Sequence, residues 1–266
     1  MRRVLPALCA LALAAACGDG GSAAGPAFEP AHDGVLTVAT AFVPSPGFWD
    51  GDGDPPPDGF EAGLAQALAG RLGLDGVDVV LVPFADITGG DLGGADLALT
   101  QMTPTDERER DLDFTSNYLT TPPGALVTAG VEAVDAQDLQ DLRWVVVRLS
   151  TLTPVVRDRV RPDADPVEVE DRTEAVQMVA DGDADVLLLD LAVAQGIAHA
   201  DPGTFDVAGQ LSGVEGLAAA LPDGADGLEV VDSALRALQA DGTVDDLADR
   251  WLGGSGDDVP LIRVSG

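Results

Sequence analysis

Residues 95–118, ADLALTQMTPTDERERDLDFTSNY, decide how this chain is expected to fold. Residues 96–100 form a short apolar run of the kind that predicts a buried strand. Thr103 and Pro104 then predict a helix start, with Thr103 as the cap and Pro104 in the first helical position. Free backbone N–H groups at such a start would point toward an anion, and Arg108 follows closely.

Apolar runs of strand length alternate with helical patterns on both sides of this stretch. The predicted strands are residues 35–41, 77–83, 96–100, 125–128, 144–148, 167–169, 185–189, 205–208 and 217–221. The predicted helices are residues 59–72, 172–180, 191–198, 227–239 and 244–252. This alternation is typical of an α/β architecture.

The composition excludes several classes of function. The chain has 266 residues, with 46 Asp and Glu against 14 basic residues, all of them arginine, and a net charge of −32. Non-specific nucleic-acid binding through a basic surface is therefore excluded. Two His and two Cys leave almost no material for a multi-ligand zinc site or a Cys/His nucleophilic pair. Enzymes that use carboxylates alone stay an open class.

An acidic loop resembles a calcium-binding loop. Asp50, Asp52 and Asp54 alternate with glycine, and Glu61 follows Asp50 by eleven residues. Pro55, however, stands where a calcium loop needs glycine for its sharp turn. We interpret this segment as a solvated acidic loop, and we predict no metal site and no cofactor.

The amino-terminal segment predicts export. Two arginines precede an apolar run, residues 4–16, that is too short to span a bilayer and ends in small residues before Cys17. This pattern indicates a lipoprotein signal peptide over residues 1–16 and lipidation of Cys17; an ordinary signal peptide cut nearby is the alternative. Residues 17–32 are predicted to be a flexible tether. The expected location is the cell envelope, in the periplasm or on the outer face of the membrane, with a lipid anchor in that membrane.

Several segments recur in an order that indicates a known family. They read VLTVATAFVP (35–44), GFE (59–61), ADLALTQMTPTDER (95–108), LDFTSNY (112–118), DLQDL (138–142), WVVVRLST (144–151), GDADVLLLD (182–190) and LQADGTVDDLADRW (238–251). Together they resemble the family 3 extracellular solute-binding proteins, the amino-acid receptors of ABC importers. The resemblance covers about residues 33–253.

The resemblance implies a two-lobe, type II periplasmic-binding-protein-like fold, often called a Venus flytrap. Each lobe is expected to be an α/β unit, with a ligand cleft between the lobes. The expected segments are residues 33–122 for the first part of lobe 1, 123–216 for lobe 2, 217–253 for the return to lobe 1 and 254–266 for a carboxyl-terminal tail.

The same resemblance implies roles for residues that would hold the common part of an amino acid. Arg108 matches the family's arginine for the α-carboxylate, and Thr103 matches the hydroxyl residue beside it. Thr151 matches the second-lobe residue that closes on the carboxylate, and Asp190 matches the carboxylate for the α-ammonium. A planar guanidinium suits this task because it can hold a carboxylate with two hydrogen bonds.

Five further residues complete the predicted ligand site. Phe42 and Phe84 fall where the family places aromatic walls, and Thr100 and Gln101 lie in the stretch that leads to Thr103 and Arg108. Arg148 lies at the end of a predicted strand and is expected to reach the ligand's side chain, which would favour a polar or acidic one. A solvated arginine at the sheet edge is the alternative.

The other site residues also have purely structural alternatives. For Arg108 the alternative is a surface ion pair with Asp106 or Asp111. For Asp190 it is a helix cap, and for Thr151 it is a turn that only starts a helix. For the two phenylalanines it is ordinary core packing.

Three positions depart from the family pattern. Gln101 and Ser150 stand where glycine is usual, and Gly63 stands where a second acidic residue is usual. The Gln101 departure predicts an additional side chain at the floor of the pocket.

The expected function is capture of an amino acid or similar small polar solute and its delivery to an ABC permease. The protein is expected to be a monomer and not an enzyme. One alternative is a cleft enzyme of the same fold, resembling the dehydratases that act on cyclic carboxylates. Another is a sensory or orphan receptor that passes closure of the lobes to a membrane partner.

Overall fold

The computed structural model describes residues 28–51, 53, 58–133, 135–252 and 258–264. The predicted signal peptide, Cys17 and most of the predicted tether lie outside these residues, as do Asp52 and Asp54 of the acidic loop. No helix within the described ranges is long and apolar enough to cross a membrane.

The strands of the described chain form two sheets. They are β1 Val35–Thr40, β2 Gly76–Leu81, β3 Leu97–Ala98, β4 Leu112–Thr121, β5 Pro123–Thr128, β6 Trp144–Val147, β7 Val167–Val169, β8 Val186–Asp190, β9 Phe205–Leu211, β10 Glu215–Pro222 and β11 Leu261–Ile262. The first sheet has the order β2-β1-β3-β10-β4, and the second has the order β11-β9-β5-β8-β6-β7. The predicted α/β class with two lobes, one around each sheet, is confirmed.

The helices are α1 Phe60–Leu72, α2 Phe84–Thr88, α3 Ala136–Asp141, α4 Thr153–Val155, α5 Arg172–Ala180, α6 Leu191–Ala200, α7 Leu228–Ala240 and α8 Thr243–Trp251. In α1 the predicted apolar stripe is buried, since Phe60, Leu64 and Leu68 have no exposed surface. This helix ends at Gly73, whose φ of 76° is the left-handed conformation that favours glycine.

The chain crosses between the sheets three times. It leaves the first sheet after β4, enters the second sheet with β5, returns with β10, and joins the second sheet again with β11. Strand β10 is antiparallel to β3 and β4, whereas β1 is parallel to β2 and β3. Helices α7 and α8 then pack against α1, so that lobe 1 is built from two distant parts of the sequence.

Close packing of α1 on α8 explains one departure from the family pattern. A Cβ atom at Gly63 would lie 2.6 Å from Cδ2 of Leu247, so even a methyl group there requires the leucine to shift. The acidic side chain usual at this position would displace the Leu247 side chain of α8.

The two ends of the described chain pack on different lobes. Phe28 packs against the main core, and the Ala31 N–H donates to Asp96 Oδ1 at 2.6 Å, so the last part of the predicted tether lies against lobe 1. Near the carboxyl terminus β11 pairs in parallel with β9 and joins the sheet of lobe 2.

All nine predicted strands and all five predicted helices have observed counterparts, with shifts of a few residues at their ends. The sequence did not predict β4, β11, or the short helices α2 and α3. The predicted helix at Pro104 is wrong: residues 103–105 are not helical, and a short 3₁₀ turn begins only at Arg108.

Candidate ligand-binding cleft

A cleft between the two lobes brings together seven of the nine predicted site residues. They are Phe42, Phe84, Gln101, Thr103, Arg108, Thr151 and Asp190. Three charged residues that the sequence analysis did not select also line this cleft, namely Glu170, Asp171 and Arg172. The cleft lies at the carboxyl ends of β3 and β8, where open α/β sheets place their ligands.

Arg108 lies at the floor of the cleft and is 8% exposed. Its Nη1 donates to the Thr103 carbonyl at 2.7 Å, and its Nη2 donates across the cleft to the Leu149 carbonyl of lobe 2 at 2.9 Å. Burial lowers the pKa of Arg108, while nearby Glu107 opposes that shift. The surface ion pair considered as the alternative is not present in the described structure.

The predicted cap at Thr103 is absent. Thr103 contributes its carbonyl to Arg108, and the Arg108 N–H donates instead to Thr105 Oγ1 at 3.2 Å. Because no helix begins at Pro104, the expected set of helix-start amides is missing, and the guanidinium of Arg108 is the group suited to an anion.

Asp190 ends β8 and precedes α6. Its side chain makes no cap hydrogen bond, and Oδ1 is buried without a hydrogen-bond partner among the described residues. Thr121 Oγ1 accepts the Ala192 N–H of α6 at 3.2 Å, which leaves Asp190 available to the cleft. Burial, reinforced by nearby Glu215, raises the pKa of Asp190 to about 7. A buried carboxylate in this state is stabilised by a cation beside it.

The two predicted aromatic walls are in contact. The ring centroids of Phe42 and Phe84 are 5.0 Å apart, with an angle of 34° between the ring planes. Each ring carries a guanidinium: Cζ of Arg108 lies 5.3 Å from the Phe84 centroid, and Cζ of Arg172 lies 3.8 Å from the Phe42 centroid. The aromatic surface of the cleft is therefore lined by cations.

Gln101 supplies the additional side chain predicted at the floor of the pocket. Its φ of 47° lies in the left-handed region, where a residue other than glycine is strained. Its backbone N–H donates to Glu61 Oε1 at 2.8 Å and its Nε2 donates to Glu61 Oε2, while Oε1 faces Arg172 and Ser45.

Glu61 is fully buried behind Gln101. The Trp49 indole donates to it at 2.7 Å and the Tyr118 hydroxyl also donates to it. Burial raises the pKa of Glu61, although these hydrogen bonds act to lower it. This anchored carboxyl group fixes the position of Gln101.

Arg172 was missed by the sequence analysis. It is the first residue of α5 in lobe 2, and its side chain reaches across to Gln101 Oε1 at 2.8 Å and Ser45 Oγ at 3.1 Å in lobe 1. In the sequence, the only feature that marks Arg172 is a predicted helix start after Asp171. In the structure the Asp171 carboxylate caps this helix by accepting the Thr173 N–H. Helix starts of this kind are usually at the surface.

The remaining predicted residues lie in three different environments. Thr151 lines the cleft and donates to Glu215 Oε2 at 3.1 Å. Arg148 is exposed and forms ion pairs with Glu168 and Glu170, so it matches the alternative of a solvated edge arginine. Thr100 is fully buried, and its Oγ1 accepts the Ala41 N–H at 3.1 Å behind the cleft wall.

Metal ligands are not grouped in the part of the chain that the structure describes. No three His, Cys, Asp or Glu side chains there are placed to hold an ion. In the acidic loop Asp50 accepts hydrogen bonds from the N–H groups of Gly47 and Gly51.

Residues 36–254 match the profile of the Bacterial extracellular solute-binding proteins, family 3. The chain belongs to this family. Among relatives of this family 3 protein, the L-cystine-binding protein of Escherichia coli K12 is 29% identical over 83% of each chain. An ABC transporter glutamine-binding protein of Bacillus subtilis is 25% identical over 60% of this chain and 59% of its own length.

Solved structures of the same fold are also similar to this family 3 protein. An ancestral arginine-binding protein bound to glutamine has a TM-score of 0.71 and 27% identity, covering 84% of this chain and 100% of that one. A solute receptor for L-cysteine of Neisseria gonorrhoeae has a TM-score of 0.70 and 26% identity, covering 85% and 92%. An ancestral amino-acid-binding protein described as a precursor of cyclohexadienyl dehydratase has a TM-score of 0.68 and 29% identity, covering 82% and 95%.

Proposed function

We propose that this protein captures an amino acid in the cleft between its lobes and delivers it to an ABC importer. The observation that carries the proposal is the pair formed by Arg108 and Asp190, two buried groups of opposite charge that line one cleft. Asp190 Oδ1 has no hydrogen-bond partner among the described residues.

A zwitterionic amino acid matches this pair. Its α-carboxylate fits the guanidinium of Arg108, and its α-ammonium supplies the cation that buried Asp190 lacks. A ligand held in this way contacts both lobes, because Arg108 belongs to the first and Asp190 to the second. Binding then favours the closed arrangement of the lobes.

Export, lipidation and delivery to a permease are part of the same proposal. They are supported by the signal-like residues 1–16 with Cys17, and by similarity to a protein named as an ABC transporter glutamine-binding protein. We propose that Cys17 carries a lipid that holds the protein at the membrane of the cell envelope and that the protein acts as a monomer.

Calorimetry with the common amino acids tests the capture step. The full-length chain in mild detergent is titrated with each L-amino acid, and circular dichroism confirms that it is folded. We expect saturable binding of at least one amino acid. A folded protein that binds none of them would refute the proposal.

Arg108→Ala provides the first testable prediction. Loss of a charge-assisted hydrogen bond to the ligand should weaken binding by at least about 1.5–3 kcal/mol. Arg110→Ala is the matched control, because Arg110 is an exposed arginine of the same short turn. Equal affinities of Arg108→Ala and Arg110→Ala would exclude Arg108 from the ligand site.

A cleft enzyme is the second candidate function. It is favoured by the pKa of about 7 at Asp190, which suits a general acid or base, and by similarity to the ancestral precursor of a dehydratase. Nuclear magnetic resonance of the ligand after incubation separates the two functions. Ligand recovered unchanged supports capture, and conversion to a product supports the enzyme.

A further inference from the structure

We propose that Arg172 determines specificity by selecting amino acids whose side chain ends in an acceptor oxygen, either a carboxylate or an amide, and by rejecting cationic side chains. This inference rests on the proposed capture of an amino acid and names the class of ligand. It concerns the part of the ligand that differs between amino acids, whereas Arg108 and Asp190 face the part that all of them share.

The guanidinium of Arg172 is held inside the cleft by contacts with the opposite lobe. It stacks on Phe42, with Cζ 3.8 Å from the ring centroid, and donates to Gln101 Oε1 and Ser45 Oγ. Arg148, on the same lobe, instead pairs with surface glutamates. The guanidinium of Arg172, unlike that of Arg148, is therefore positioned to contact a ligand in the cleft.

The acceptor that holds Arg172 is itself fixed. Gln101 Oε1 faces Arg172 because the Gln101 backbone N–H and Nε2 both donate to buried Glu61. The left-handed φ of 47° at Gln101 is a strained conformation of the kind that persists where the surrounding structure enforces it. Tyr118 and Trp49 anchor Glu61 from behind. The guanidinium is therefore held in one position when the two lobes face each other, which lowers the cost of ordering it around a ligand in the closed cleft.

Arg172 retains donors for a ligand. A guanidinium has five N–H groups, and within the described chain its side chain donates one hydrogen bond to Gln101 and one to Ser45. Burial lowers the pKa of Arg172 to about 10, so the group is still a cation at neutral pH. A side-chain carboxylate or amide oxygen accepts from such a group, and an apolar side chain leaves these donors without a partner.

The charges around the cleft disfavour a cationic ligand. Once Asp190 binds the α-ammonium, the other carboxylates that line the cleft are Glu170 and Asp171. Glu170 pairs with Arg148, and Asp171 accepts the N–H of Thr173. A second ligand cation would thus meet the charge of Arg172, and the remaining counter-charge, that of Asp171, is exposed to solvent and screened. It would also find a face of Phe42 already covered by a guanidinium.

Calorimetry on the full-length chain tests this inference with L-Glu, L-Gln, L-Asp, L-Asn, L-Ala, L-Lys and L-Arg. We expect at least one of the first four to bind at least tenfold more tightly than L-Lys and L-Arg. Arg172→Gln should weaken that preferred ligand about tenfold or more, while changing the affinity for L-Ala less than threefold. Arg157→Gln is the control, because Arg157 is an exposed arginine of lobe 2 that pairs with Glu168 away from the cleft, and it should change neither affinity.

Failure of this inference can be distinguished from failure of the proposed function. Binding of no amino acid by the folded protein refutes both. Tightest binding of L-Lys or L-Arg refutes only the role of Arg172, as does an equal loss of affinity for L-Ala and the preferred ligand in Arg172→Gln. If Arg172→Gln melts early, Arg172→Lys keeps the charge and removes the planar fork. It should then give a selective loss of affinity for the preferred ligand, and an unchanged affinity would overturn the inference.

Discussion

Asp190 is a buried carboxyl group, and one of its oxygens has no hydrogen-bond partner among the residues that the structure describes. Burial and the negative charge of Glu215 raise its pKa to about 7, and Arg172 and Arg108 only partly oppose this shift. An aspartate in an unfolded chain has a pKa near 3.9. The folded protein therefore binds a proton on Asp190 at pH values where the unfolded chain has released it.

This shift predicts a stability that depends on pH. The contribution of Asp190 is fully present below about pH 4 and is lost as the pH rises through about 7. Urea unfolding at pH 4.5 and at pH 7.5 gives the free energy of unfolding of Asp190→Asn and of the unmodified protein. We expect the stability of Asp190→Asn relative to the unmodified protein to be higher at pH 7.5 than at pH 4.5 by at least about 1 kcal/mol. Ligand affinity should follow the opposite trend, because the ionised carboxylate binds the ammonium.

Asp78→Asn provides the control for this pH dependence. Asp78 is exposed in β2, so its replacement should change the free energy of unfolding equally at both pH values. If Asp190→Asn, like Asp78→Asn, changes the free energy of unfolding by the same amount at both pH values, Asp190 titrates normally in the folded protein.

The sequence was sufficient to place some cleft residues and not others. Arg108 and Asp190 were predicted because each lies in a segment that resembles the family, at the position that matches a ligand-binding residue. Arg172 was not predicted, because its contacts with Gln101 and Ser45 span 71 and 127 residues and exist only when the lobes face each other. Arg148 was expected at the ligand because a strand end favours it, but glutamates on the same surface hold it outside.

At the scale of elements, the errors of the sequence analysis follow from local irregularity. Strand β4 buries Leu112, Thr115, Tyr118 and Thr121, every third residue, and its pairing with β10 shifts register twice. A strand with such bulges does not show the alternation of apolar and polar residues that predicts strands. The helix start predicted from Thr103 and Pro104 is wrong because only a short 3₁₀ turn follows, beginning at Arg108.

Helix α6 of lobe 2 approaches lobe 1 at a glycine. A Cβ atom at Gly196 would lie 2.3 Å from the carbonyl oxygen of Pro46, in the segment between β1 and α1. The clash is with backbone, so it cannot be relieved by rotation of a side chain. Gly196 thus permits a close approach of the two lobes.

Gly196→Ala is predicted to destabilise the protein by about 1–3 kcal/mol, because overpacking of a tight contact outweighs the gain in helix propensity. We also expect weaker ligand binding, since the methyl group separates α6 from the Pro46 segment. Thermal unfolding and calorimetry measure the two effects.

Gly70→Ala is the matched control. Gly70 is an exposed glycine within α1, and a Cβ atom there meets nothing within 4 Å. It should be neutral or stabilise by up to about 1 kcal/mol. If Gly196→Ala behaved like Gly70→Ala, the two lobes would not be in close contact at this position.

At the scale of the whole molecule, the lobes are joined by three crossings of the chain and by polar contacts across the cleft. Arg108 of lobe 1 reaches the Leu149 carbonyl of lobe 2, and Arg172 of lobe 2 reaches Gln101 and Ser45 of lobe 1. The same two guanidinium groups are the ones proposed to hold the ligand. Closure and recognition therefore depend on shared residues, which couples them energetically.

The net charge of −32 acts on the whole molecule and not on the ligand site. At about 0.1 M salt the field of surface charges is confined to roughly 10 Å, so a bound ligand responds mainly to the charged groups that line the cleft, Arg108 and Arg172 among them. On the surface, acidic groups far outnumber arginines and repel one another, and this repulsion destabilises the compact state.

Salt is therefore predicted to stabilise the protein. Raising sodium chloride from 0.01 to 0.5 M, as order-of-magnitude limits, should screen the repulsion and raise the free energy of unfolding by about 1 kcal/mol, or the melting temperature by about 2–4 °C. Sucrose at equal osmolality separates screening from solute exclusion, because it carries no charge. A melting temperature that responds equally to both solutes, or to neither, would mean that the acidic surface is too dispersed for its self-repulsion to limit stability.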